Sequence, residues 1–100
     1  MPNKGLDYDN LDFLYDAVLE LKDKNECKKF FEDLCTINEL KSLSQRIVVA
    51  KMLTEHSVYS DIVAVTGAST ATISRVNRSL SFGAGGYDEI FERLNKKAKK

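Results

Sequence analysis

An all-α fold is predicted for this 100-residue chain, and three observations predict it. Apolar residues recur at helical spacing along nearly the whole sequence. No segment alternates convincingly in the manner of a strand; Val58-Tyr59 and Ile62-Val63 are β-branched or aromatic but too short. Hydroxyl, carboxylate and glycine residues punctuate the apolar runs where helices start and stop. Six helices with short connections result.

Residues 1–8 form an N-terminal arm, expected to be mobile. Asp9 or Asn10 can cap a first helix running to about Lys22, with Leu11, Leu14, Val18 and Leu21 on one stripe. Phe13, Tyr15, Ala17 and Leu19 widen that stripe well past one face, more than a chain this small can cover alone. A homodimer is the first expectation from that excess. Asn25 opens a second helix, with Asp23 and Glu26 near its positive end and Phe30, Phe31, Leu34 and Cys35 on its apolar face. Those aromatics read as core and imply no cofactor.

Thr36 followed by Glu39 has capping-box spacing, so a long third helix should run from Ile37 to about Thr54. Its apolar residues are Leu40, Leu43, Ile47, Val48, Val49, Ala50, Met52 and Leu53; Lys41, Ser42, Gln45, Arg46 and Lys51 take much of the rest. Glu55-His56-Ser57 breaks the pattern. The only histidine, His56, has no cysteine or carboxylate pattern around it and reads as a surface turn residue.

Residues 61–76 organise the chain. A short helix carries the pair Ile62 and Val65, Gly67 supplies a turn that accepts φ > 0, and Ser69 or Thr70 caps the next helix. There Ile73, Val76 and Leu80 make one apolar stripe. At about 100° per residue the other face carries Ala71, Thr72, Ser74, Arg75, Arg78 and Ser79. It is slim and hydroxylated at its start and basic further on, as a helix entering the major groove must be. This is a helix-turn-helix, spanning about residues 58–80; an ordinary αα-corner is the alternative. Residues 81–86 are a glycine-rich connection without the Gly-Lys-Ser/Thr of a phosphate loop, and a last helix from about Tyr87 to Lys97 aligns Ile90, Phe91 and Leu94. A basic tail, residues 98–100, ends the chain.

Composition bounds the function. Formal net charge is zero, but residues up to Cys35 carry five lysines against nine acids, and the remainder ten lysines and arginines against six acids. One basic region can therefore approach phosphates while an acidic one turns away. No run of apolar residues is long enough to span a membrane, and no apolar leader segment is visible, so a cytoplasmic location is expected. Cys27 and Cys35 read as intracellular thiols rather than a disulfide or metal site. No convergent nucleophile, base and acid set exists, which points to a non-enzyme.

The run from Asn38 to Ile47 (Asn-Glu-Leu-Lys-Ser-Leu-Ser-Gln-Arg-Ile), the run from Gly67 to Arg75 (Gly-Ala-Ser-Thr-Ala-Thr-Ile-Ser-Arg) and the closing Asn77-Arg78-Ser79-Leu80 resemble the Trp repressor superfamily. The resemblance is strongest to its YerC/YecD branch, whose role is poorly defined, and covers roughly residues 10–95. It implies an all-helical, intertwined homodimer whose two helix-turn-helix units enter successive major grooves of double-stranded DNA, about 34–36 Å apart. It implies a transcriptional regulator, a repressor in the first instance, with Thr70, Ala71 and Ser74 reading bases, Thr72 close to the backbone and Arg78 on phosphate.

In the ligand-responsive repressor, tryptophan lies between two arginines, matched here by Arg46 and Arg75, and a serine matched by Ser79 holds its amino group. A glycine beside the second arginine leaves room for the indole; this sequence has Val76. A β-branched side chain there fills that space or forces the ring out. That weighs against L-tryptophan while leaving a small-molecule effector in view. The helix-turn-helix also departs from the usual pattern at Val63, four residues before the turn glycine, where an alanine is common. The competing expectation is a helical dimer that binds a protein partner without touching DNA; structured RNA is a third.

Overall fold

The computed structural model describes residues 5–98. They form six helices and, among the described residues, no strand: α1 (Tyr8–Leu19), α2 (Lys24–Leu34), α3 (Ile37–Thr54), α4 (Tyr59–Thr66), α5 (Thr70–Phe82) and α6 (Gly86–Ala98). The chain divides after Thr36 into two compact units.

In the first unit, the caps decide the helix ends. Asp7, not Asp9 or Asn10, caps α1: its Oδ1 accepts from the Asp9 and Asn10 amides at 3.0 and 3.1 Å. Residues 7 and 8 of the expected arm thus serve the helix; residues 1–4 lie outside the described residues. Helix α1 stops at Leu19 rather than Lys22. The reason lies in α2, whose N-cap is Asp23 rather than Asn25. Asp23 Oδ1 accepts from the Glu26 amide at 2.9 Å, and Glu26 Oε1 accepts from the Lys22 amide at 2.9 Å. This reciprocal pair commits the Lys22 backbone to α2, so it cannot continue α1. The rings of Phe30 and Phe31 meet edge to face, 5.6 Å between centroids. Neither α1 nor α2 contains a buried residue. Of the residues that over-widen the α1 stripe, Phe13, Tyr15 and Leu19 are exposed, Phe13 at 75% and Leu19 at 79%, while Ala17 is half-buried. Cys27 and Cys35 are free thiols, both half-buried.

The second unit holds the core. Helix α3 packs on α5 most extensively, then on α4 and α6. Val49 and Ala50 from α3, Ile62 from α4, Ala68 from the turn, and Ile73 and Val76 from α5 are buried together. Met52, Leu53, Leu80, Tyr87 and Phe91 pack around them, the last two with rings stacked 6.0 Å apart. The α5 stripe is as expected. The α4 pair is not: Ile62 is buried, but Val65 is 67% exposed. Ala68, beyond the turn, takes the second inward place, because reversal of the chain at Gly67 brings it back over Ile62.

Helix α3 ends with His56 in the left-handed region at φ 63°. The His56 amide donates to the Leu53 carbonyl at 3.1 Å and the Ser57 amide to Met52 at 3.0 Å, the paired bonds of a Schellman cap. His56 is exposed, so its role is to turn the chain. Gly83 ends α5, extended two residues past Leu80; a Cβ at Gly83 would collide with the Ser79 carbonyl. Helix α6 includes Ala98, and residues 99–100 of the expected tail lie outside the described residues. No helix is long and apolar enough to cross a membrane, and no group of three His, Cys, Asp or Glu residues is placed to hold a metal, in both cases among the described residues.

Candidate nucleic-acid interface

The turn between α4 and α5 is built from four residues in a row. Thr66 donates its hydroxyl to the Ile62 carbonyl at 2.7 Å and accepts from the Ala68 amide at 3.1 Å. Gly67 sits at φ 71°, and its amide closes α4 on the Val63 carbonyl at 2.8 Å. An L-residue pays steric strain there that glycine avoids. Ser69 is extended and caps α5, accepting from the Thr72 amide at 3.1 Å. Its hydroxyl also meets the Thr72 hydroxyl at 3.1 Å. From outside the motif, Gln45 Nε2 donates to the Thr66 carbonyl at 3.1 Å and ties α3 to the end of α4. The whole reversal is thereby fixed relative to α3. Val63 is 39% exposed, so the buried residue that α4 contributes is Ile62, in one cluster with Ala68 of the turn and Ile73 of α5.

With Ile73 and Val76 turned inward, α5 presents a continuous outer face. Thr70, Ala71, Ser74, Arg75, Arg78 and Ser79 are exposed, and Thr72 is half-buried. The sequence of α5 contains no acidic residue. Among the described residues, no carboxylate lies within ion-pairing distance of Arg46, Arg75 or Arg78; the one surface pair is Lys96 with Glu92, 3.2 Å apart.

Two of the three expected effector residues come together. Arg46 and Arg75 line one recess of about 250 Å³ with Ser42, Gln45, Ala71 and Thr72. Ser79 does not join them. It lines a separate, more apolar hollow of about 470 Å³ with Ile47, Leu80, Tyr87, Ile90 and the 83–86 glycine loop. Val76 is 2% exposed, and its side chain is in the core rather than on the recess wall. Ser42 and Gln45 were not singled out from sequence. On a helix so rich in surface polar residues, only the fold reveals which of them face α5.

Comparison with known proteins decides the family. The family model described as Trp repressor protein matches residues 9–95. The chain belongs to the Trp repressor family. The uncharacterised protein YerC of Bacillus subtilis (strain 168) is 54% identical over 84 residues, covering 84% of this chain and 81% of YerC. A crystal structure from Staphylococcus aureus, provisionally described as a Trp repressor, superposes with a TM-score of 0.83 at 53% identity, covering 86% of each chain. The crystal structure of a TrpR-like protein from Eubacterium eligens ATCC 27750 superposes with a TM-score of 0.87 at 60% identity, covering 93% of this chain and 96% of that one. The all-α Trp repressor-like fold expected from sequence is therefore the fold observed. The family is one of helical DNA-binding regulators rather than of enzymes.

Proposed function

We propose that this member of the Trp repressor family is a sequence-specific transcriptional regulator, acting in the cytoplasm as a homodimer on operator DNA and repressing when bound. The carrying observation is the outer face of α5: a capped N-terminus with the small or hydroxylated Thr70, Ala71 and Ser74, then Arg78, and no acid. A helix of this kind can enter a major groove end-on, its first turn reaching base edges and its arginine a phosphate. The homodimer is supported by the open apolar surface of α1, where Phe13, Tyr15 and Leu19 are all more than half exposed. Two copies would bring two reading helices to half-sites about one helical turn apart.

Selection of binding sites from a random duplex pool, at low and moderate salt and with and without L-tryptophan, tests this reading. The expected result is a palindrome with half-sites spaced by about 10 base pairs. Arg78→Ala should weaken binding to every sequence and lower the salt slope by about one unit. Thr70→Ala should instead relax preference at one position of each half-site. A formal net charge of zero favours the competing reading, a scaffold for a protein partner; that reading predicts no retention on random duplex even at low salt.

A further inference from the structure

We propose that Gln45 is a positioning residue for the reading helix: its side-chain amide, held on the Thr66 carbonyl, sets how the first turn of α5 stands against α3. The inference rests on the DNA-reading function proposed above and adds to it a residue that touches no base. The bond joins residues 21 apart in sequence, from the middle of α3 to the last residue of α4, at 3.1 Å between half-buried partners. The Thr66 carbonyl is one of those a helix leaves without an intrahelical partner, so its donor must come from outside α4. The hydrogen bonds that shape the reversal itself reach four residues at most. The Thr66 hydroxyl bonds the Ile62 carbonyl, the Ala68 amide the Thr66 hydroxyl, the Gly67 amide the Val63 carbonyl and the Thr72 amide the Ser69 hydroxyl. They fix the shape of the reversal but not its angle to α3.

Apolar packing leaves that angle under-determined. Ile62 is the one buried residue of α4, and a single buried side chain acts as a pivot. Thr66 lies one turn further along the same face, so the Gln45 bond is a second point that opposes rotation about the first. Gln45 and Thr66 face each other across a groove that no apolar seam closes, since Val48 of α3 and Val65 of α4 line it and both stay exposed. Helix α5 needs this support at its start. Its buried residues are Ile73 and Val76, so its later turns are packed into the core, whereas Thr70 and Ala71 come before the first of these and are exposed. These two are held from the turn side: Gln45 bonds Thr66, Thr66 bonds Ala68, and the adjoining Ser69 caps α5. The residues proposed to read bases are thus the ones most dependent on the α3 bond.

The test uses the full-length protein at constant ionic strength and compares the wild type with Gln45→Met and Gln45→Lys. Methionine has nearly the same length and no donor; lysine restores an N–H donor. The functional readout is the preference for the selected duplex over a random one, a ratio that the added lysine charge leaves largely alone because it strengthens both. The structural readouts are hydrogen exchange of the Ala68 and Thr72 amides and the Gly67 amide shift, which reports on what bonds the preceding Thr66 carbonyl. A hydrogen bond of this kind is worth roughly a fivefold change in an equilibrium. Gln45→Met should therefore lower the preference about fivefold, with random-duplex binding unchanged, and speed exchange at Ala68 and Thr72 by about the same factor. Gln45→Lys should restore both and return the Gly67 shift toward its wild-type position. A preference that survives Gln45→Met, falls without faster exchange, or is not recovered by Gln45→Lys overturns the assignment. The two failures are distinct. A wild type that selects no site removes the DNA-reading proposal and this inference with it, whereas a selected site read equally well by Gln45→Met removes this inference alone.

Discussion

Replacing Val76 by glycine separates two roles that one position could play. As the wall of an indole pocket, the valine would be an obstruction, and glycine would open the pocket at little cost in stability. As a core residue, it is a packing element whose loss destabilises the fold. The structure places it in the core at 2% exposure, in one buried cluster with Ile73 and the α3 pair Val49 and Ala50. Removing three buried carbons forfeits about 2.4 kcal/mol at roughly 0.8 kcal/mol per carbon. Glycine inside a helix adds about 0.5 kcal/mol relative to valine, and any cavity that fails to collapse adds more. The expected loss is therefore about 3 kcal/mol, a melting drop of about 12–24 °C for a chain of this size. Urea unfolding followed by circular dichroism measures it, at fixed protein concentration because association shifts apparent stability. Val76→Ala, which keeps helix propensity, should lose about 2 kcal/mol from transfer and cavity terms. A Val76→Gly loss below about 1 kcal/mol, the size of an average point mutation, would show that the valine is not packed. So would tight L-tryptophan binding gained with stability intact.

Gly67→Ala should cost about 1–2 kcal/mol through its left-handed backbone alone, since a Cβ there meets nothing within 4 Å. Gly67→Asn should recover part of that loss in the same melts, and equal stability of the three proteins would disprove the strain account. Phe13→Asp, at a side chain 75% exposed, should shift the sedimentation coefficient from dimer to monomer without unfolding α1; a dimer that persists places the interface elsewhere.

Helix number and order were legible in the sequence because each helix carries its own local signals. The capping-box spacing of Thr36 and Glu39 precedes a helix that does begin at Ile37. Gly67 marked the turn, and of the two cap candidates, Ser69 and Thr70, the structure uses Ser69. The ends that were displaced, at Asp7 and Asp23, had competing aspartates or asparagines within two or three residues. Asp23 with Glu26 had the spacing that should have decided it. Packing was less legible. A pair such as Ile62 and Val65 satisfies helical spacing, yet α4 is a two-turn helix with one inward position. Which second residue meets Ile62 depends on the reversal at Gly67. The recess was half legible: Arg46 and Arg75 came from resemblance, whereas Ser42 and Gln45 depend on which side of α3 faces α5, and this is a tertiary fact.

The zero net charge that favours a scaffold carries less weight once the charges are placed. At physiological salt a charge is felt over about 8 Å, so a phosphate beside α5 responds to neighbours within that radius and not to the total. Helix α5 spans thirteen residues, carries Arg75 and Arg78, and has no acid anywhere along it. Arg46 adds a third cation beside Arg75. The excess of acids up to Cys35 belongs to the other compact unit. A neutral chain with this segregation should bind DNA through few phosphate contacts. Its salt dependence should then be shallow, and its preference between sequences should rest on the first turn of α5. A scaffold with the same composition has no reason to keep acids out of one helix.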